Sequence, residues 1–168
     1  MLLALYLVIS TLAAGDRVAV VRTDGQGAIA NEVRSNLARE LRGVGIDAVD
    51  GADAGARYLL EVVSADAEST TDSATAWAGG LSGVRLTSIH AVVNVELRLY
   101  DARSHELVRA FEIHQSGPDG PVLGGGVVAG IPTEFGSFLL RPVVRRSQTH
   151  AAARAAAHEA ALKLAPPR

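Results

Sequence analysis

The first part of the chain has the polar and apolar pattern of a strand, a helix and a second strand. Residues 16–23 are a short β-branched run that closes on a glycine-containing turn. From Ala28 the apolar period changes to four, while charged residues occupy the other faces, which predicts an amphipathic helix. Its apolar stripe consists of Ile29, Val33, Leu37 and Leu41. Gly43 and Gly45 predict the end of this helix, and residues 46–49 return to strand period.

The middle of the chain predicts a central strand, a long connection and an antiparallel hairpin. Residues 57–64 have the nearly continuous aliphatic density of a strand with both faces covered. The pattern then fades over 65–83, which we expect to be a long loop or a mobile hairpin with Trp77 as its one large anchor. The clearest strand follows, with one apolar face made of Ile89, Ala91, Val93, Val95, Leu97 and Leu99. A polar turn over 101–105 and a second alternating run from Leu107 complete the hairpin.

The last third of the chain has no clear pattern of secondary structure except at its end, where a helix is predicted. Residues 117–146 contain several glycines and prolines and show no sustained helical period, so we expect loops or short extensions. Ser147 is expected to cap a final alanine-rich helix from about Thr149 to Leu164. Together these elements predict an α/β fold, a two-layer sandwich in which a mostly antiparallel sheet carries two long helices on one face.

The opening residues predict an export signal. Residues 1–14 are apolar and uncharged, and small residues precede the first charged residue, Asp16. We therefore expect residues 1–15 to be a signal peptide, the mature chain to begin near Asp16, and the protein to be exported to the periplasm or outer envelope. The 168-residue length fits one further unit, a single domain over 16–168.

Composition argues against several function classes. The net charge is only -2 and the basic residues are scattered, so we expect no nucleic-acid partner. Cysteine is absent, which excludes disulfides, thiolate metal sites and thiol catalysis. The sequence contains no nucleophile elbow, phosphate loop or H-E-x-x-H motif, and it predicts no catalytic residue. We therefore predict that the chain is not an enzyme.

One glycine motif could suggest a cofactor. Residues 124–129 match the dinucleotide spacing G-x-G-x-x-A, which requires a helix that begins at the glycines and faces the pyrophosphate. Gly130 and Pro132 would cut that helix off, and no following βα unit with an acidic residue is evident. A flexible or close-packed loop is the better interpretation, so we predict no cofactor and identify no small-molecule ligand.

Histidines are the remaining candidates for metal ligands. His90 and His114 could face one another across the hairpin with Glu112 nearby. Two histidines and one carboxylate are few ligands, and an exposed polar sheet face explains them better, so we predict no metal site. His150 and His158 are eight residues apart on the last helix, too far to share one ion, and we expect both to be solvated.

A short basic cluster precedes the last helix. Arg141, Arg145 and Arg146 surround an apolar dipeptide and a proline, and they are candidates for a surface that contacts an anionic partner. The alternative is a solvated strand end. Together with Trp77 they are the interaction residues that the sequence proposes.

Three segments of this sequence resemble the CsgG-like family, whose best-known members form the outer-membrane channel that secretes curli subunits. VAVVRTD resembles the first strand, GARYLLEVVSADAEST the central strand, and VVNVELRLYDARSHELVRAFEI the closing hairpin. The resemblance covers most of residues 16–165 and extends to related envelope domains such as the TolB amino-terminal domain. It implies an α/β fold of this kind.

The resemblance also implies a function without catalysis. We expect a cell-envelope component that acts in export or surface assembly through self-association or protein partners. A solitary periplasmic binding or adaptor domain is the alternative, and an uncharacterised enzyme is the third class. The polar character of 65–83 and the prolines of 117–146 argue against membrane-inserted hairpins, although association with a membrane surface is compatible with the sequence.

Overall fold

The fold consists of one sheet and two helices. The computed structural model describes residues 12–13, 15–23, 27–77, 82–118, 123–128, 131–133 and 135–166. In chain order the elements are β1 (Arg17–Arg22), α1 (Ala28–Gly43), β2 (Asp47–Asp50), β3 (Tyr58–Trp77), β4 (Ser82–Asp101), β5 (Leu107–Ser116), β6 (Leu123–Val128), β7 (Ile131–Thr133) and α2 (Phe135–Leu164).

The strands of the described residues form a single seven-stranded sheet with mixed pairing. β1 lies between β2 and β3 and is parallel to both, as a strand–helix–strand unit requires. The remaining pairs, β3 with β4, β4 with β5 and with β6, and β6 with β7, are antiparallel. The predicted α/β fold with a mostly antiparallel sheet is therefore confirmed.

Both helices pack on the same face of the sheet and share one core. The predicted stripe of α1 is correct, since Val33, Leu37 and Leu41 are at most 1% exposed. The predicted apolar face of β4 is also correct, because every residue of it from Ile89 to Leu99 is buried. Alanines of α2 complete this core against β4 and β5.

Of the two alternatives for 65–83, a long loop or a hairpin, the structure has the hairpin, and its strands are long and regular. β3 continues without interruption to Trp77, and β4 already begins at Ser82, so most of this segment is a regular antiparallel pair. Side chains from Asp66 to Thr75 are exposed except at Ser69, which is half-buried. A strand with polar residues on both faces has no apolar alternation, and alternation is the signal on which a strand prediction depends.

The last helix is also longer than predicted. α2 begins at Phe135, so Ser147 lies inside it and is not an N-cap. The predicted loops over 117–146 are in fact β6, β7 and the first part of α2. Pro142 lies within the helix, where a proline removes one backbone hydrogen bond and crowds the preceding turn. Packing of α2 against α1, β4 and β5 compensates for this local cost.

Two smaller expectations about the strands are corrected. Leu59 and Val63 are only half-buried, so the second face of β3 is not covered as predicted. The run from Leu107 does not alternate simply, because a register shift at Leu99 and Tyr100 leaves Leu107 54% exposed. Ile113, further along β5, is buried as predicted.

The predicted signal peptide lies mostly outside the described residues, which leave out 1–11 and 14. Leu12 is buried against the core, and its N–H donates a hydrogen bond to the carbonyl oxygen of Leu164 at 3.0 Å. Within the described ranges, no helix combines the length and apolarity needed to cross a bilayer.

Leu97 provides a test of the core. Leu97 is fully buried in the middle of β4, so Leu97→Ala should lower the free energy of unfolding by about 2–5 kcal/mol. Val84→Ala on the same strand is the control, because Val84 is 49% exposed and should change stability by less than about 1 kcal/mol. Urea unfolding followed by circular dichroism measures both. Equal effects of the two substitutions would contradict the assigned faces.

Gly117 provides a second test, of the contact between the end of β5 and α2. A Cβ atom at Gly117 would lie 2.9 Å from the backbone oxygen of Gln148, closer than real contacts allow. Gly117→Ala should therefore lower the free energy of unfolding by about 1–3 kcal/mol, since α2 would have to shift. Gly43→Ala is the matched control, because that position is open and alanine favours helix by about 1 kcal/mol. A stabilising Gly117→Ala in thermal melts would refute this close approach.

Candidate functional site

The three arginines proposed from the sequence lie on one cavity. Arg141, Arg145 and Arg146 line a space of about 720 Å³ between α2, the first turn of α1 and the β3–β4 pair. Cavities of about 300–1,000 Å³ are typical of small-molecule sites. The solvated strand end considered for these residues is wrong, because they belong to α2.

Helical geometry explains why these side chains converge. Residues four apart lie on the same face of a helix, so Arg141, Arg145 and Thr149 follow one another along α2. Arg146 and His150 form the adjacent row and line the same cavity. Thr149 and His150 were missed at the sequence level, because the spacing has meaning only if the helix continues through the proline.

The sheet forms one wall of the cavity, with both polar and apolar side chains. Ser69 and Thr71 of β3 add two hydroxyl groups, which can donate or accept hydrogen bonds. Ile89 of β4 and Ile29 of α1 add apolar surface. The cavity is therefore polar and basic along α2 and partly apolar beneath it.

The first turn of α1 forms the remaining wall. Gly27 occupies the N-cap position and provides no side-chain cap, and the first turn carries no acidic residue. Ala28 and Ile29 of this turn line the cavity. The first N–H groups of a helix lack partners within the helix and give this end a partial positive charge. The helix end therefore adds to the positive potential of the arginines.

A hydrogen-bonded chain links one arginine to α1. The Nε group of Arg146 donates to Nε2 of His150 at 3.3 Å, and Nδ1 of His150 is bonded to a carboxylate oxygen of Glu32. Glu32 lies beside the cavity, and no aspartate or glutamate is among the described residues that line it.

A second pair of the same kind lies two turns further along both helices. Nδ1 of His158 is 2.8 Å from a carboxylate oxygen of Glu40. Glu32 and Glu40 are eight residues apart, as are His150 and His158, so the two helices run parallel at this contact. The prediction that both histidines are solvated is correct for His158, which is 60% exposed, whereas His150 is half-buried, and each also bonds a glutamate of α1.

The fourth proposed interaction residue lies elsewhere. Trp77 ends β3 and pairs with Gly83, six residues beyond Thr71. Six residues of strand span about 20 Å, so the backbone of Trp77 lies far from the cavity along the hairpin. Its side chain falls outside the described part of the chain. The role proposed for Trp77 thus stays a prediction, separate from the arginines.

The histidines considered for zinc do not face one another. His114 lies opposite Asn94 on β4, with 2.7 Å between Nδ1 and the amide oxygen, whereas His90 lies four residues before Asn94 on that strand. Within the described ranges, no three histidine, aspartate or glutamate side chains group closely enough to hold a metal ion. The glycines at 124–126 lie within β6 and pair with β4, so no helix begins there.

A second cavity, at the opposite end of the sheet, holds charges that are paired with one another. It has a volume of about 870 Å³ and is lined by the connection before β3 and the β4–β5 turn. Asp53 accepts a hydrogen bond from Nε of Arg17 at 2.6 Å and another from the N–H of Gly55 at 3.0 Å. The Arg17 hydrogen bond, with the Gly55 N–H, lowers the pKa of the Asp53 carboxyl. We interpret these contacts as structural.

This lowered pKa predicts a pH dependence of stability. A carboxyl with a lower pKa in the folded state stabilises the fold above its unfolded pKa, about 3.9, and loses that contribution as the pH falls through the folded value. Asp53→Asn should therefore destabilise the protein at pH 7, and the difference from the unsubstituted protein should shrink below about pH 4. Urea unfolding at pH 7 and pH 3 measures this. Arg17→Gln should show the same trend, and a difference independent of pH would contradict the assignment.

Fold and site together define a class: a two-layer α/β domain with both helices on one sheet face and an arginine-lined cavity beside the first helix. No protein-family model and no curated protein matches the chain in sequence.

Several solved structures are similar in shape. The PelC dodecamer from Paraburkholderia phytofirmans is 20% identical, with 94% of this chain and 92% of that chain covered and a TM-score of 0.49. A minor lipoprotein from Acinetobacter baumannii is 12% identical, with 94% and 99% covered and a TM-score of 0.46. Lipoprotein B from Nitrosomonas europaea is 15% identical, with 96% and 91% covered and a TM-score of 0.45. With TM-scores below 0.5, these similarities identify no function for this chain.

Proposed function

We propose that this chain is a non-enzymatic component of the cell envelope that acts in export or surface assembly by associating with further copies of itself or with partner proteins. The observation that carries the proposal is an unpaired edge of β3. β1 pairs with β3 only from Tyr58 to Val62, whereas β4 pairs with it as far as Trp77. Along 64–77, the other edge of β3 has no strand partner among the described residues.

This free edge is long enough to be a binding surface. Fourteen residues of strand extend over about 45 Å and present a row of backbone N–H and C=O groups. Another chain can add a strand to such an edge, with backbone hydrogen bonds giving affinity and side chains giving specificity. An edge of this length without a partner would otherwise be an aggregation hazard.

The side chains on this hairpin favour a specific partner. We call residues 64–77 of β3 and 82–96 of β4 the arm. Asp66, Glu68 and Asp72 place negative charge along β3, the strand of the arm that has the free edge, and all three are exposed. Charged edges discourage indiscriminate pairing. Val84 and Leu86 add exposed apolar surface, at 49% and 45%, on the neighbouring strand. A partner whose surface complements both the charges and the apolar patch would therefore bind in preference to other proteins.

The sequence supports the location and the type of function. The apolar run before Asp16 has the pattern of an export signal, and the resemblance to the CsgG-like family implies envelope proteins that assemble. Export, the envelope role and the absence of catalysis are parts of the proposal.

A second candidate function has an observation of its own. The arginine-lined cavity is of the size that small ligands occupy, which favours a solitary periplasmic binding or adaptor domain. Such a domain has no need of self-association, so the oligomeric state distinguishes the two candidates.

Light scattering after size exclusion tests the proposed assembly. At about 10 μM, an association with a Kd of 1 μM or less would be largely complete. We expect the purified full chain to have the mass of a discrete oligomer. A monomer under these conditions would contradict self-association and favour the adaptor.

Two adjacent proline substitutions test the edge itself. Neighbouring residues of a strand direct their N–H groups to opposite edges, so Thr70→Pro and Thr71→Pro each remove one N–H, and only one of the two faces the free edge. The variant that loses the N–H facing the free edge should become monomeric with an unchanged melting temperature. The variant that loses the N–H facing β4 should disturb the arm and have a lower melting temperature. If both variants keep the oligomer mass, the edge is not the contact.

A further inference from the structure

We propose that the partner of the free edge of β3 is the same edge of a second copy, paired antiparallel about a two-fold axis that passes beside Thr71. This inference rests on the proposed self-association and names the contact that makes it. The arms would join two seven-stranded sheets into one, with the helices of both copies on the same face. Such a contact uses one surface twice and closes at two copies.

The backbone groups that face the free edge follow from the pairing of β4. The N–H of Gly117 donates to the carbonyl oxygen of Ala91 at 2.7 Å, so the backbone of Ala91 faces the side of β5 and turns away from β3. Ser69 lies opposite Ala91, and its N–H and C=O therefore face the free edge. This orientation recurs at every second residue of a strand. The odd-numbered residues from Ala65 to Trp77 thus present their backbone groups to a partner.

The end of β1 determines where this edge begins. The N–H of Thr23 donates to the carbonyl oxygen of Val62 at 3.1 Å, and beyond that bond no strand of the described residues lies on this side of β3. A second copy centred on Thr71 pairs Ala65 with Trp77 at both ends and so uses the whole edge. Each odd-numbered pair exchanges two hydrogen bonds, which gives about fourteen between the two copies.

Charge selects the same register. Like charges on directly opposite residues destabilise an antiparallel pair. A register centred on residue 70 would place Glu68 opposite Asp72, and one centred on residue 72 would place two copies of Asp72 opposite each other. In the register centred on Thr71, each acidic residue of the edge lies opposite an uncharged one. These pairs are Asp66 with Ala76, Glu68 with Ala74, and Asp72 with Thr70.

The outer edge of β5 is the other long edge that a second copy could offer. β5 has ten residues and runs in the same direction as β3, since both are antiparallel to β4. A head-to-tail contact that keeps all helices on one face would therefore pair β3 and β5 in parallel. Parallel pairing is slightly less stable per residue. The contact between two β3 edges is longer and antiparallel, and the geometry favours it.

Single-cysteine variants of the full chain test the register, because the chain has no cysteine of its own. In a hydrogen-bonded antiparallel pair the two Cα atoms are about 5.5 Å apart, a distance that a disulfide spans. Thr71→Cys should therefore form a covalent dimer on mild oxidation, seen on a non-reducing gel. Ser73→Cys is the matched control, because residue 73 is also exposed but its two copies are about 13 Å out of register along the strands.

A mixture of two variants tests the two-fold pairing directly. In the proposed register, residue 69 of one copy lies opposite residue 73 of the other. Ser69→Cys and Ser73→Cys should each give no covalent dimer alone, whereas the two variants refolded together and then oxidised should give one. Because neither variant cross-links with itself, that dimer can only be the hybrid. Absence of the hybrid together with absence of the Thr71→Cys dimer would overturn the register.

The backbone assignment also identifies which proline variant should lose the contact. The N–H of Thr71 faces the free edge and that of Thr70 faces β4, so Thr71→Pro should change the mass measured by light scattering from two copies to one, with an unchanged melting temperature. A mass of two copies that persists in Thr71→Pro would contradict the proposed contact.

The outcomes distinguish this inference from the proposed function. An oligomer in which Thr71→Cys does not cross-link, or cross-links no better than Ser73→Cys, would overturn the register and leave self-association standing. A mass well above two copies would overturn the closed pair and favour the head-to-tail contact. A monomer of the unsubstituted protein would overturn both self-association and this inference. A dimer that Thr71→Cys makes covalent, with the hybrid of residues 69 and 73, supports both.

Discussion

The close approach of α2 to the sheet is the constraint on which the rest of the structure depends. Six alanines in the second half of α2 are at most 1% exposed: Ala152, Ala153, Ala156, Ala157, Ala160 and Ala161. A methyl side chain lets a helix lie near a sheet surface without a gap, and protein interiors tolerate few voids. Larger residues at these positions would lift α2 away from β4 and β5. The contact at Gly117 reflects the same closeness at the other end of the interface.

This packing also determines where the cavity forms. Once the alanines fix α2 beside α1, the two helices run parallel and the His–Glu pairs join them at two levels. The first half of α2 must then pass the start of α1, which brings Arg141 and Arg145 to an uncapped helix end. The arginines converge on the cavity because of the path of α2.

The parts of the fold that could be predicted are those in which burial of one face gives a periodic pattern of apolar residues in the sequence. α1 and the apolar face of β4 are amphipathic, and both appear in the structure where the pattern placed them. For 65–83 the sequence could not decide between a loop and a hairpin, because the residues of β3 beyond Ala65 are polar on both faces and their pairing with β4 leaves no local pattern. The first half of α2 escaped because Pro142 interrupts the local signal, while the packing that maintains the helix is tertiary. These two elements form the walls of the cavity. The arginines could therefore be proposed as a cluster, but their partners could not.

The cavity and the free edge of β3 are close together where the arm joins the rest of the domain, which we call its base. Ligand binding in the cavity need not be coupled to pairing at the edge. Ile89 lines the cavity and is 2% exposed, and Thr87 beside it is 1% exposed, so the base is held firmly against the rest of the fold. A ligand shifts an equilibrium only if it binds two states differently, and a base that is already fixed offers a single state. From Asp72 to Thr75 the side chains of β3 are exposed. A ligand in the cavity would thus stabilise the domain without ordering the distant part of the edge. Assembly through the arm would depend on the partner's fit to the edge, whether or not the cavity is filled.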